Sequence, residues 1–405
     1  MFWNYDAEKI HVIRTGEKEG VLETSDGRFE LHCNDGSFEN ILNFQAVSNQ
    51  IENPTEMCHC LTSSLQVLEL TGNFEETFDT DLLERFTNLT HLSLKGTQLK
   101  KFDLNVMKNH KNLSIIQLPG NNLTKIDNLN VLDNYEYPIN LDISDNQLEN
   151  VPEILKHLTS KTVDLNLSGN FVGKLNATTF ERFKDMKRLI LKNSSVSFDD
   201  LKPFEPFELN ELDISRNNLE NANFTSTSMA LKQLQILNVG HCKVRNISEV
   251  VKVLGPSLLK LDLVGNFLGK LHAQTFDNIK MGLKDLNMSN THLTDAGIAV
   301  LKHLTKLDIS KNKVKSLNFT SVSNRLHTLY LNENDLKEVD NLTKSHFPML
   351  RSLNISKNQF TCEYLAKFIA QLNEEWPHLM MFGDPWEQKY EGNCHPMHDD
   401  VIENP

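Results

Sequence analysis

One octet, written over and over, limits what this chain can become. Leu307-Asp308-Ile309-Ser310-Lys311-Asn312-Lys313-Val314 recurs as Leu212-Asp213-Ile214-Ser215-Arg216-Asn217-Asn218-Leu219 and as Leu353-Asn354-Ile355-Ser356-Lys357-Asn358-Gln359-Phe360, each fitting L-x-L-x-x-N-x-L. Followed by its sixth position, the pattern runs through Asn73, Thr97, Asn121, Asn146, Asn170, Ser194, Asn217, Cys242, Asn266, Thr291, Asn312, Asn334 and Asn358, thirteen units at intervals of 21 to 25 residues. A unit this short cannot bury its own apolar edge, so each must stack on its neighbours and the two ends must be capped.

Within a unit the alternation has period two. Leu326, Leu329 and Leu331 point inward, whereas Tyr330 and Asn332 point out, as in a short strand. Stacking such strands makes one parallel sheet. At the following turn a buried asparagine amide satisfies backbone groups of its own and adjacent units, each of which would otherwise cost about 1–3 kcal/mol. Thr, Ser and Cys are the substitutes expected there.

This pattern is identified as the leucine-rich repeat over roughly Leu65 to Phe360, and Phe180 and Phe276 stand where repeats of the extracellular type carry phenylalanine. The resemblance implies an α/β fold, a leucine-rich repeat solenoid or horseshoe with a parallel concave sheet, of about 13 repeats of about 24 residues. Residues 1–64 are expected to form an amino-terminal cap, 65–360 the solenoid, and 361–405 a carboxy-terminal cap and tail.

The cysteines gather at the ends. Phe360 to Ile369 reads as an amphipathic helix leaving the last strand, and Cys362 with Cys394 resembles the closing bridge of a secreted carboxy-terminal cap. A hairpin around Asp26-Gly27 and a strand over Ile41 to Val47 precede Cys58-His59-Cys60. In the resembling amino-terminal cap, Cys33 pairs with Cys58 or Cys60. The third thiol is then either a packed cap thiol or the anchor of a disulfide-linked partner chain. Cys242 falls in the ladder register and reads as a buried structural thiol.

Twelve N-x-S/T sequons run from Asn88 to Asn354. Asn166, Asn287 and Asn354 arise within the repeat itself, whereas Asn176, Asn223 and Asn318 lie beyond the strand, where a glycan could stand in solvent. With every thiol but Cys242 in the caps, they point to an extracellular chain whose leader is absent from this sequence or removed. Lysine and arginine number 41 against 54 acidic residues, a net charge of −13 without a basic run, which excludes a nucleic-acid partner; no apolar stretch is long enough to span a bilayer.

Catalytic motifs are missing: there is no G-x-S-x-G, H-E-x-x-H, Walker loop or dinucleotide fingerprint, and no cofactor or metal site is expected. What the repeat offers is a surface. Its outward column includes Glu69, Gln117, Asp142, Ile190, Asp213, Asp262, Asp308 and Tyr330, with Ile190 and Tyr330 as apolar and aromatic anchors. The resemblance implies noncatalytic recognition of a protein or other macromolecule outside the cell, after the manner of Toll-type receptor ectodomains, matrix proteoglycans and secreted insect immune proteins. A receptor ectodomain separated from its anchor, and an intracellular scaffold or inhibitor, are the alternatives.

Overall fold

The computed structural model describes residues 10–16, 19–24, 41–47, 54–59, 61–72, 78–149, 151–171, 173, 183, 185–196, 209–220, 222, 229–272, 274–294, 301–317, 319 and 324–387, with the backbone alone over 10–24. The chain divides into two compact units, Met1–Leu212 and Asp213–Pro405.

In the first unit an antiparallel hairpin pairs Ile10–Gly16 with Glu19–Thr24. The expected hairpin around Asp26-Gly27 lies outside the described residues. From Glu19–Thr24 onward every pairing is parallel, through Asn43–Val47, Val67–Thr71, His91–Lys95, Ile115–Gln117, Ile139–Asp142, Thr162–Asn166 and Arg188–Ile190. The parallel ladder thus starts upstream of the first consensus unit. Short 3-10 turns and the helix Val151–His157 return the chain, and Lys101–Asp103 pairs with Lys125–Asp127 in a small second sheet.

The second unit repeats the plan with Ile236–Asn238, Lys260–Asp262, Asp285–Asn287, Lys306–Asp308, Thr328–Tyr330, Ser352–Asn354 and the closing pair Met380–Met381. Register explains the core. Leu68, Leu92, Ile116, Leu141, Leu165 and Leu189 are aligned partners in one unit, and Leu237, Leu261, Leu286, Leu307, Leu329 and Leu353 in the other, all buried. Each such side chain contributes roughly 1.5–3 kcal/mol of apolar burial. Behind them the looser side is filled by bulkier rings, among them Phe86, Phe102, Tyr135, Phe183, Phe276 and Phe347.

The ladder works as the sequence requires. Asn312 donates to the carbonyls of Met288 (2.8 Å) and Ile309 (2.9 Å), and its oxygen accepts from the backbone N–H of Thr291 (2.9 Å) and Leu293 (2.9 Å). Thr97, Ser194, Thr291 and Cys242 occupy the same buried position in their units. The Cys242 thiol donates to the Ile214 carbonyl at 3.2 Å, the structural role its register implies.

At the carboxy end Thr361 caps the helix Cys362–Glu375 by accepting from the Tyr364 N–H at 3.2 Å. Leu365, Phe368 and Leu372 are its buried face, and Trp376 closes it by donating to the Phe347 carbonyl at 3.2 Å. Cys362 is disulfide-bonded. Cys394, the partner that the resemblance implies, lies outside the described residues, as do Cys33 and Cys60. Cys58, in the helix Pro54–His59, is free and wholly buried, and burial pushes its thiol up to about 12. Its burial agrees with the reading of a packed thiol.

Candidate docking surface

Strand pairing sets the outward column in a straight row within each unit. Glu69, Ser93, Gln117, Asp142, Asn166 and Ile190 are successive partners in the first. Asn238, Asp262, Asn287, Asp308, Tyr330 and Asn354 are successive partners in the second. Neighbours along a row are about 4.8 Å apart, and nearly all members are half-buried by each other.

The acids of the row hold the fold as well as face outward. Asp142, Asp213, Asp262 and Asp308 each accept, at 2.9–3.0 Å, from the backbone N–H two residues on, which turns the chain out of the strand. The second oxygen is engaged in three of them: Asn166 donates to Asp142 at 3.1 Å, Asn238 to Asp213 at 2.8 Å and Asn287 to Asp262 at 3.2 Å. The asparagines repeat the same turn, accepting from the N–H of Ser168, Gly240, Ser289 and, at Asn354, of Ser356. Sequence reasoning misses this bracket of aspartate and asparagine. Its signal is the alternation of Asp and Asn along the column, which reads as composition alone until the strands are paired.

Beside the row, the first unit carries one ionic cluster. Arg188 lies 3.3 Å from Asp164 and 3.1 Å from Glu211. Burial raises the Asp164 carboxyl above its ordinary range, partly countered by the Arg188 guanidinium. An arginine held between two half-buried carboxylates stiffens that part of the sheet and presents a mixed rather than a single-signed field.

Ile190 remains half-exposed at its place in the row. Tyr330 meets Phe382 edge-on, ring centres 6.0 Å apart. Asn354 pairs with Tyr330, and the strand Met380–Met381 follows on its far side, so the two rings close over the strand between them. The row in the second unit therefore ends in an aromatic roof, its Phe382 edge 41% exposed. Among the described residues no group of histidine, cysteine and carboxylate side chains is arranged to hold a metal ion. No described helix is long and apolar enough to cross a membrane. Asn176, Asn223 and Asn318 lie outside the described residues.

No family model matches the chain. Among curated proteins, Tsukushi of Gallus gallus is 26% identical over 54% of this chain and 67% of its own length. Lumican of Bos taurus is 29% identical over 43% of this chain and 51% of its own length. The chain thus spans about half to two thirds of these relatives. Of solved structures, a leucine-rich repeat protein of Leptospira interrogans superposes with a TM-score of 0.60 over 86% of this chain and 91% of that one, at 20% identity. A chain of the Toll–Spatzle complex of Drosophila gives 0.54 over 94% and 55%, at 15% identity. Repeat consensus, asparagine ladder and parallel sheet agree with these likenesses: the chain has the leucine-rich repeat fold.

Proposed function

We propose that the chain is a noncatalytic recognition protein working outside the cell, which docks a protein partner on the outward face of its sheet. The observation that carries this is the in-register row of half-buried side chains, held by its paired aspartates and asparagines and relieved by Ile190 in one unit and by the Tyr330–Phe382 pair in the other. Fixed side chains lose little entropy on binding, and apolar and aromatic groups in a polar frame are where interface energy concentrates. The bonded Cys362 supports an oxidising compartment. Tsukushi and lumican support a binding rather than a catalytic role. We further propose innate defence as the setting, the context named for the Toll–Spatzle complex.

The test is crosslinking with mass spectrometry on the tagged chain recovered from the extracellular fluid of its own tissue. Crosslinks are expected on lysines flanking the row, such as Lys260 and Lys306, and Ile190→Glu or Tyr330→Ala should reduce partner recovery at least tenfold. Crosslinks confined to the opposite side of the sheet, or protein found only in cell lysate with Cys362 reduced, would overturn the reading.

A further inference from the structure

Two sequons share one place in the fold, at the margin of the sheet in the first unit. Asn88-Leu89-Thr90 and Asn112-Leu113-Ser114 are 24 residues apart, so they occupy the same place in adjacent repeats, just before the strands His91–Lys95 and Ile115–Gln117. In both, the central leucine is fully buried and the asparagine exposed. The tripeptide is thus pinned to the core with its acceptor amide in solvent. Thr90 donates to the Gln66 carbonyl at 3.1 Å and Ser114 to the Thr90 carbonyl at 3.3 Å, which holds the hydroxyls back against the sheet margin. Asn88 uses one N–H on the Ser63 carbonyl at 2.8 Å and keeps the second position on that nitrogen for a substituent.

Both asparagines open on a groove of about 660 Å³, bordered by Gln66, Thr90, Ser114 and Tyr137. None of the side chains lining it is charged, in a protein of net charge −13, and Tyr137 is 51% exposed. Neutral amides and hydroxyls that both donate and accept, beside one bare aromatic face, match the chemistry of sugars: hydroxyls around an apolar ring. The sequons on the sheet face are the opposite case. Asn166 donates to Asp142 while its oxygen accepts from both the N–H (3.1 Å) and the hydroxyl (2.7 Å) of Ser168. Asn287 is held the same way by Asp262 and Ser289, and Asn354 lies between Tyr330 and Phe382.

We propose that Asn88 and Asn112 carry paired N-linked glycans whose innermost sugars lie in this groove, and that Asn166, Asn287 and Asn354 stay bare. The proposal rests on export through a glycosylating compartment. There the amide nitrogen displaces pyrophosphate from the anomeric carbon of a lipid-pyrophosphate-linked oligosaccharide. A carbon–nitrogen bond forms as the carbon–oxygen bond to phosphate breaks, the amide gives up one proton, and the lipid pyrophosphate leaves. One margin of the first unit is then clothed in sugar while the sheet face remains open to a protein.

The experiment supplies a secretion leader, so its outcome is independent of whether the native chain is exported. Protein recovered from the medium of insect cells is deglycosylated enzymatically in ¹⁸O water and mapped by peptide mass spectrometry. Label is expected at Asn88 and Asn112 in most molecules and at background at Asn166, Asn287 and Asn354. Background label at Asn88 and Asn112, or equal label on the sheet face, would overturn the proposal. For the groove, Tyr137→Ala should leave occupancy unchanged yet speed enzymatic release of these two glycans from the native protein several-fold; an unchanged rate would remove the groove from it.

Discussion

His110 is a buried side chain through which the fold loses stability in acid. It is fully buried, one ring nitrogen 3.0 Å from the Leu83 carbonyl, and desolvation holds its pKa below the ordinary 6.5. A group with a lower pKa folded than unfolded binds its proton more readily when unfolded, so stability falls as pH drops through about 6.5 and levels off below the folded value. Thermal midpoints measured from pH 8 to pH 4.5 should therefore decline across that window, and His110→Phe should flatten the part of the slope due to this residue, whatever it does to the midpoint at pH 8. Nothing in the sequence points to His110. It sits between a 3-10 turn, Leu104–Met107, and the next strand, where no period governs which side chain turns inward. Cys242, Thr97 and Ser194 are legible for the converse reason: the register that buries an asparagine in one unit buries its substitute in the next.

At the scale of the turn, the residue before each ladder position adopts a left-handed conformation. It is glycine at Gly96, Gly120, Gly169 and Gly265, but Arg216, His241 and Lys311 elsewhere take φ of 55–58°. A side chain in that conformation costs roughly 1–2 kcal/mol. Gly265 has a further reason to be glycine, since an added Cβ would sit 2.2 Å from the His241 ring, whereas Gly269, also left-handed, has nothing within 4 Å. Gly269→Ala should cost about 1 kcal/mol, in line with the conformation alone. Gly265→Ala should cost clearly more, and His241→Ala should recover the excess in the double variant, read as non-additivity in chemical denaturation. Glycine's role here cannot be seen in the octet, because the clash runs between units.

For the molecule as a whole, stacked units depend on their ends, because the last repeat has a neighbour on one side only. The helix Cys362–Glu375, tied by its disulfide and by Trp376, supplies that neighbour in the second unit. Reducing the bond should lower the thermal midpoint by several degrees and raise amide exchange first in Ser352–Asn354 and Met380–Met381, with strands such as Lys260–Asp262 unaffected until global unfolding. Loss of protection beginning in the interior strands would contradict this. The arrangement of thirteen units is open to inspection from spacing alone, because a repeat states its architecture once per copy. How its surface chemistry is used is not, since that depends on hydrogen bonds across copies. The bracketed aspartates carry the clearest instance. Their lone pairs are occupied inside the sheet but their donors are neutral amides, so each keeps its full negative charge while having few bonds left to give: this face can draw in a basic partner from a distance, and the rate of encounter should fall with added salt.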